Sequence, residues 1–134
     1  MLAPLGVLPM APGVDRPTME RTLDAVLKTW DWETKIWGWD YPMVAMTAAR
    51  LGEPKKAVDV LMKSDGPNNR YVSNGHVPQR GDLPVYLPAN GALLAAVALM
   101  AGGWDGALKE LGEAPGFPKD GTWVVRSEGL RKLP

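Results

Sequence analysis

Tryptophan and carboxylate alternate in one short stretch, Trp30-Asp31-Trp32-Glu33-Thr34-Lys35-Ile36-Trp37-Gly38-Trp39-Asp40-Tyr41, which holds four of the chain's six tryptophans. A plain connection between helices would be small and polar, built from Gly, Asn, Ser or Pro. Indole faces with carboxylates between them suit a sugar. The ring's C–H face stacks on the aromatic, and the carboxylate hydrogen-bonds a hydroxyl or does acid–base work. Asp40 and Glu33 are the candidate catalytic carboxylates. Trp32, Trp37 and Trp39 are candidate sugar platforms, of which one or two would stack on a ligand while the rest pack. The competing reading makes the tryptophans a core cluster and the acids caps and surface charges. Under it, Asp40 is an N-cap and nothing more.

A second stretch, Ser64 to Leu87, is rich in Gly, Pro and Asn and reads as a long loop, with short strands near Tyr71-Val72 and Val85-Tyr86. Loops this long inside a compact domain are usually functional or disordered, and the residues of this one point to function. Tyr71, His76, Gln79, Arg80 and Tyr86 lie in it. Asn74, His76 and Gln79, with Asn90 just beyond, are candidate substrate-binding residues. His76 is the chain's single histidine, an imidazole able to donate and accept.

Four helices must position these residues. Asp15 to Trp30 carries Met19, Leu23, Val26, Leu27 and Trp30 on one face, with Asp15 as N-cap and Pro17 in the first turn. The second helix covers 41–51 and ends at Gly52. The third covers 54–63, entered through Glu53 and Pro54, so Leu51-Gly52-Glu53-Pro54 is a tight turn. The fourth, 90–101, is apolar all round and is expected to be buried all round. Thr122 to Glu128 reads as a strand. Short turns then lie at one end of two antiparallel hairpins and long loops at the other, with the tryptophans and Asn74–His76 sharing an end. Gly38 and Gly91 read as sites of close backbone approach or unusual dihedral angles.

Composition narrows the function. Fifteen basic residues balance fifteen acidic ones, which argues against an electrostatic nucleic-acid binder. No basic run or basic amphipathic helix points to a membrane surface. The most apolar run, Gly91 to Ala101, is about half the roughly 20 residues a membrane span needs. With no cysteine and one histidine, thiolate and multi-histidine metal sites are ruled out, and neither metal nor cofactor is expected. Met1 to Val14, broken by prolines and glycines, has neither the basic start nor the continuous apolar run of a signal peptide and reads as extended chain. The compartment is left open.

The segments WGWDYPMVAMTAARLGEPKKAVDVLM, NGH, YLPANGALLAAVALMAGGWDG and GFPKDGTWVVRSEGL together resemble the C-terminal end of bacterial six-hairpin glycosidases. These are the glycoside hydrolase family 65-like proteins, distantly similar to family 95 fucosidases. The resemblance runs from about Leu5 to Leu133. It implies that residues 1–134 are the C-terminal portion of a catalytic domain. The fold would be mainly α, a partial (α/α)6 toroid of two helical hairpins with long loops and a short C-terminal strand. The partners would be a carbohydrate and the missing N-terminal hairpins of the same enzyme, and the apolar face those hairpins cover would be exposed. Family 95 has Gly-Trp-Ser where this chain has Gly38-Trp39-Asp40. It also has an aspartate where this chain has Pro88, so the role of that carboxylate does not carry over. The general acid is expected upstream. The chain would supply part of a sugar pocket and at most one catalytic carboxylate. The alternative is a carbohydrate-binding or helical scaffold module without chemistry.

Overall fold

The computed structural model describes residues 2–64 and 66–134; Met1 in the N-terminal segment and Asp65 in the long loop lie outside the described residues. The chain is mainly helical: α1 (Ala3–Gly6), α2 (Arg16–Thr29), α3 (Asp40–Arg50), α4 (Pro54–Leu61) and α5 (Leu87–Gly102), with single 3-10 turns at Pro67–Asn69 and Lys109–Leu111.

α2 starts where its residues dictate. The Asp15 carboxylate accepts the Thr18 N–H at 2.8 Å, and proline occupies the first turn. Met19, Leu23 and Val26 form its buried face. α3 is the centre and packs against each of the other four helices. Tyr41, Val44, Ala45, Ala48 and Ala49 are all fully buried on it. Its alanines leave room for neighbours to approach closely. Gly52 ends it with φ +75°, a conformation that costs glycine no steric penalty, and Pro54 starts α4 at once. α4 therefore runs back antiparallel to α3.

The long loop returns the chain to the end where α3 began, so α5 runs parallel to α3. Gly38, just before α3, abuts Ala89 in the first turn of α5. Arg50, at the other end of α3, lies 5.8 Å from the Trp104 ring just beyond α5. α3 is thus a central helix in contact with all four others, with α4 antiparallel to it and α5 parallel.

Further expectations are corrected. α5 is not buried all round: Ala96, Leu99 and Met100 face the core, while Leu87, Leu94 and Val97 face solvent. It packs mainly on α3 and on backbone near Gly116 and Arg131, which cover one side only. α5 also begins at Leu87 rather than 90, because Pro88 sits in its first turn, where the missing N–H costs nothing. Thr122 to Glu128 is not a strand. Asp120 holds the Thr122 N–H at 3.0 Å, Trp123 leans on Phe117 at 5.5 Å, and no backbone pairs with the segment. Among the described residues, β-pairing is confined to isolated bridges at Arg80–Leu83 and Trp104–Leu133, so Tyr71-Val72 and Val85-Tyr86 are not strands either. The first residues are not simply extended: α1 carries Leu5 into the core, and Gly6 lies against Thr47 of α3.

Candidate functional site

The tryptophan stretch divides in two. Its first half is structural. Asp31 accepts the Thr34 N–H at 3.0 Å and the Thr34 hydroxyl at 2.5 Å, closing a turn. The hydroxyl bond, with help from the N–H, holds the Asp31 carboxyl below its usual range. Trp32 is buried. Its ring lies 5.3 Å from Tyr41 and 6.0 Å from Trp30, its indole N–H donates to the Leu27 carbonyl at 3.3 Å, and the Lys63 ammonium sits 5.6 Å from the ring. It belongs to the core and is not a sugar platform. Glu33 is exposed.

The second half forms a ledge. Trp37 is 38% exposed and Trp39 45% exposed. Tyr86, from the start of α5, packs on Trp37 with ring centres 5.4 Å apart at 55°, an edge-tilted geometry favoured by aromatic quadrupoles. The Arg80 guanidinium stands 5.6 Å from the Trp37 centroid while pairing with Asp82 at 3.1 Å. Asp40 lies beside Trp37 at the start of α3. Its carboxylate turns back to accept the Trp37 N–H at 2.9 Å, and its own N–H donates to the Trp37 carbonyl at 3.0 Å. The cap position of α3 is Trp39, so Asp40 is not the N-cap. It plays the reach-back part that an acid takes in a capping box. Half-burial raises its carboxyl above the ordinary range, and the Trp37 N–H only partly offsets this. Burial also raises the Tyr86 phenol, with the nearby Asp40 charge adding to it. Asp40 and Tyr86 therefore sense one another.

The long loop is fastened to this end. Gln79, buried, accepts the Gly38 N–H at 2.9 Å through Oε1. Asn68 donates to the Ile36 carbonyl at 2.6 Å. A Cβ on Gly38 would stand 2.8 Å from both Ala89 Cβ and the Asn68 carbonyl, so this glycine is required by close approach. Gly91 has nothing within 4 Å and an ordinary φ, so neither reason applies to it. Asn74 accepts the His76 N–H at 3.1 Å in a tight turn whose Gly75 carbonyl accepts from Asn90 at 2.7 Å. Asn90 Oδ1 is buried without a partner.

The expected residues thus take different parts. Trp37, Trp39 and Asp40 lie together at the start of α3, Asn74 and His76 lie on the loop tied to the same end, and Asn90 is in the first turn of α5. Gln79 is a tether. Trp32 is in the core and Glu33 is exposed. Arg80 and Tyr86 complete the ledge; nothing in the pattern around Tyr86 distinguishes it from Tyr71, which donates from the same loop to the Ala89 carbonyl at 3.5 Å. Among the described residues no cluster of three or more His, Asp or Glu gathers to hold a metal, and no helix is long and apolar enough to cross a membrane. A cavity of about 810 Å³ lies at the far end of α5, lined by Gly102, Gly103, Lys109 and Arg126, away from the aromatic ledge.

The site is thus an exposed Trp37–Tyr86 aromatic pair beside a half-buried carboxyl, on a mainly helical protein. Compared with protein-family models, characterised proteins and solved structures, the chain finds no match.

Proposed function

We propose that the ledge of Trp37, Trp39 and Tyr86 beside Asp40 is the carbohydrate-binding part of a glycoside hydrolase-like domain. The observation carrying this is the half-buried Asp40 carboxyl, bonded to the backbone of the exposed Trp37 and close enough to Tyr86 to act on its phenol. The parallel α3 and α5, with α4 antiparallel outside them, is also the relation that neighbouring hairpins of an α/α toroid require. In this reading the indole faces take a sugar's C–H face. Asp40, its carboxyl raised, accepts a hydroxyl proton or acts as the general base, while a second carboxylate supplies the acid. A second reading, sugar binding without chemistry, is favoured by the engagement of Asp40 with the Trp37 N–H.

Titration with a panel of oligosaccharides and aryl glycosides tests both, read by tryptophan fluorescence and product release. Saturable binding that weakens several-fold to about tenfold in Trp37→Ala is expected. If Asp40 is the base, Asp40→Asn loses turnover by roughly 10²–10⁴-fold with affinity kept. Binding without turnover selects the second reading. No binding by any sugar, or binding indifferent to Trp37, refutes the site.

A further inference from the structure

The Arg80 guanidinium stands over the Trp37 ring, 5.6 Å from its centroid, and its Nε pairs with Asp82 Oδ1 at 3.1 Å. Among the described residues neither terminal nitrogen of this guanidinium has a hydrogen-bond or ion-pair partner. Its backbone is held as well. The Leu83 N–H donates to the Arg80 carbonyl at 2.9 Å, closing a turn through Gly81 and Asp82, and the Gln79 N–H donates to the Leu83 carbonyl at 3.0 Å. The Gln79 side chain accepts the Gly38 N–H at 2.9 Å. The chain neighbours of Arg80 and of Trp37 are therefore bonded to each other, and the fold itself carries this cation to the aromatic ledge.

Other arginines of the chain are used differently. Arg16 gives a terminal nitrogen to the Leu51 carbonyl at 2.5 Å, Arg21 gives one to the Thr18 hydroxyl at 2.8 Å, and Arg50 gives one to a Pro134 oxygen. Each spends on the fold a donor that a ligand could use. Arg126 and Arg131 keep theirs, but among the described residues no hydrogen bond, ion pair or ring contact orients either one. At Arg80 the ring and Asp82 hold the group while its two-nitrogen end stays free. That end presents parallel N–H donors, which match the two oxygens of a carboxylate. A group held in place beforehand loses less freedom when a ligand engages it.

We propose that Arg80 is the anion subsite of the ledge and that the ligand is an acidic sugar, a uronic acid residue whose carboxylate pairs with Nη1 and Nη2. The inference rests on the carbohydrate reading and adds the substrate class to it. A hexuronate carries both complements on one ring, C–H faces for an indole and a carboxylate on C5 for the fork. A neutral sugar leaves the fork unused, and a simple carboxylate leaves the indoles uncovered. Asp82 sets the scale of the effect. Both members of its pair with Arg80 are more than half exposed, so water screens the pair, and only Nε is engaged. Asp82 thus lowers the net charge that a ligand meets without occupying the free end. The resulting preference for an acidic sugar is modest and depends on salt.

Titration of the 134-residue chain with matched pairs tests the proposal. Methyl glucuronide is compared with methyl glucoside and methyl galacturonide with methyl galactoside, by tryptophan fluorescence at low salt, and sodium acetate supplies the charge without the ring. In at least one pair the uronide should bind about three- to tenfold more tightly than its neutral partner. The ratio should shrink toward one at about 1 M salt. It should fall to about one in Arg80→Gln at low salt, and Asp82→Asn, which removes a competing charge at an exposed position, should widen it. Acetate should bind at least about tenfold more weakly than the uronide. Neutral sugars that bind as tightly as their uronides in both pairs overturn the acidic-sugar inference and leave the carbohydrate reading standing. A ratio kept in Arg80→Gln, a ratio narrowed by Asp82→Asn, or acetate binding equal to the uronide overturns it too. So do uronides that fail to bind, while the neutral oligosaccharides decide the carbohydrate reading separately.

Discussion

α3 and α5 are the two most apolar of the four long helices, and the molecule uses them differently. α3 has neighbours on every side, and even its threonine, Thr47, is fully buried with the hydroxyl donating to the Met43 carbonyl at 3.0 Å. α5, with no charged residue in it, leaves Leu87, Leu94 and Val97 in solvent. Apolarity records what a helix can lose to water without penalty. How much it does lose depends on how many elements pack around it. The ledge is built where the two helices start side by side: α3 brings Asp40, α5 brings Tyr86, and Gly38 lets them touch.

The largest test of this contrast lies within α5. Leu99, 1% exposed, faces α3; Leu94, 72% exposed, faces away. Leu99→Ala should destabilise by about 2–5 kcal/mol, transfer and cavity terms together. Leu94→Ala should change stability by no more than about 0.5 kcal/mol. Chemical denaturation of the two variants measures both. Equal losses would mean that the outer face of α5 is covered in solution.

A smaller effect separates two glycines that look alike in sequence. Gly38→Ala forces apart Ala89 and the Asn68 backbone and should cost about 1–3 kcal/mol, the usual overpacking penalty. Gly91→Ala meets open space inside a helix and should stabilise by about 0.5–1 kcal/mol. A stabilised Gly38→Ala would show that the starts of α3 and α5 are not in contact.

Much of this was legible beforehand because it is local. Asp15, Pro17, Gly52 and Pro54 act on their own turns, so α2, α3 and α4 lie within a residue or two of where spacing puts them. What failed depends on neighbours far along the chain. Thr122–Glu128 has strand-forming residues, but pattern cannot supply a second backbone. Trp32 and Trp37 are chemically identical, and only the packing of Tyr41 and Tyr86 sends one inward and the other to the ledge. Asp40 was visible as a carboxylate at a helix start, although its backward bond to Trp37 was not. Arg50 gave no signal at all. After Ala48-Ala49 and before Leu51-Gly52 it reads as an ordinary basic residue ending a helix, and only the fold shows that it is buried.

The smallest predicted effect concerns Asp40 itself, where two influences oppose. The start of α3 favours a negative charge, and so does the Trp37 N–H. Burial disfavours it, and burial is the larger cause, raising the carboxyl above its ordinary 3.8. The sign for stability follows from proton counts. Between the ordinary and the raised pKa the folded chain holds a proton that the unfolded chain has released. Stability from this group is therefore fully present below about 3.8 and is lost as pH rises through the folded pKa. This is opposite to a salt-bridged carboxylate. Asn at position 40 cannot ionise, yet its side-chain oxygen can still accept the Trp37 N–H. Asp40→Asn should thus melt with wild type in acid and equal or exceed it at neutral pH, with the gap opening as pH rises through the raised value. Melting temperatures of both proteins across that range decide it. A variant that instead falls further below wild type as pH rises would show that the helix start and the N–H outweigh burial. Asp40 would then be a stabilising anion rather than a carboxyl poised for proton transfer.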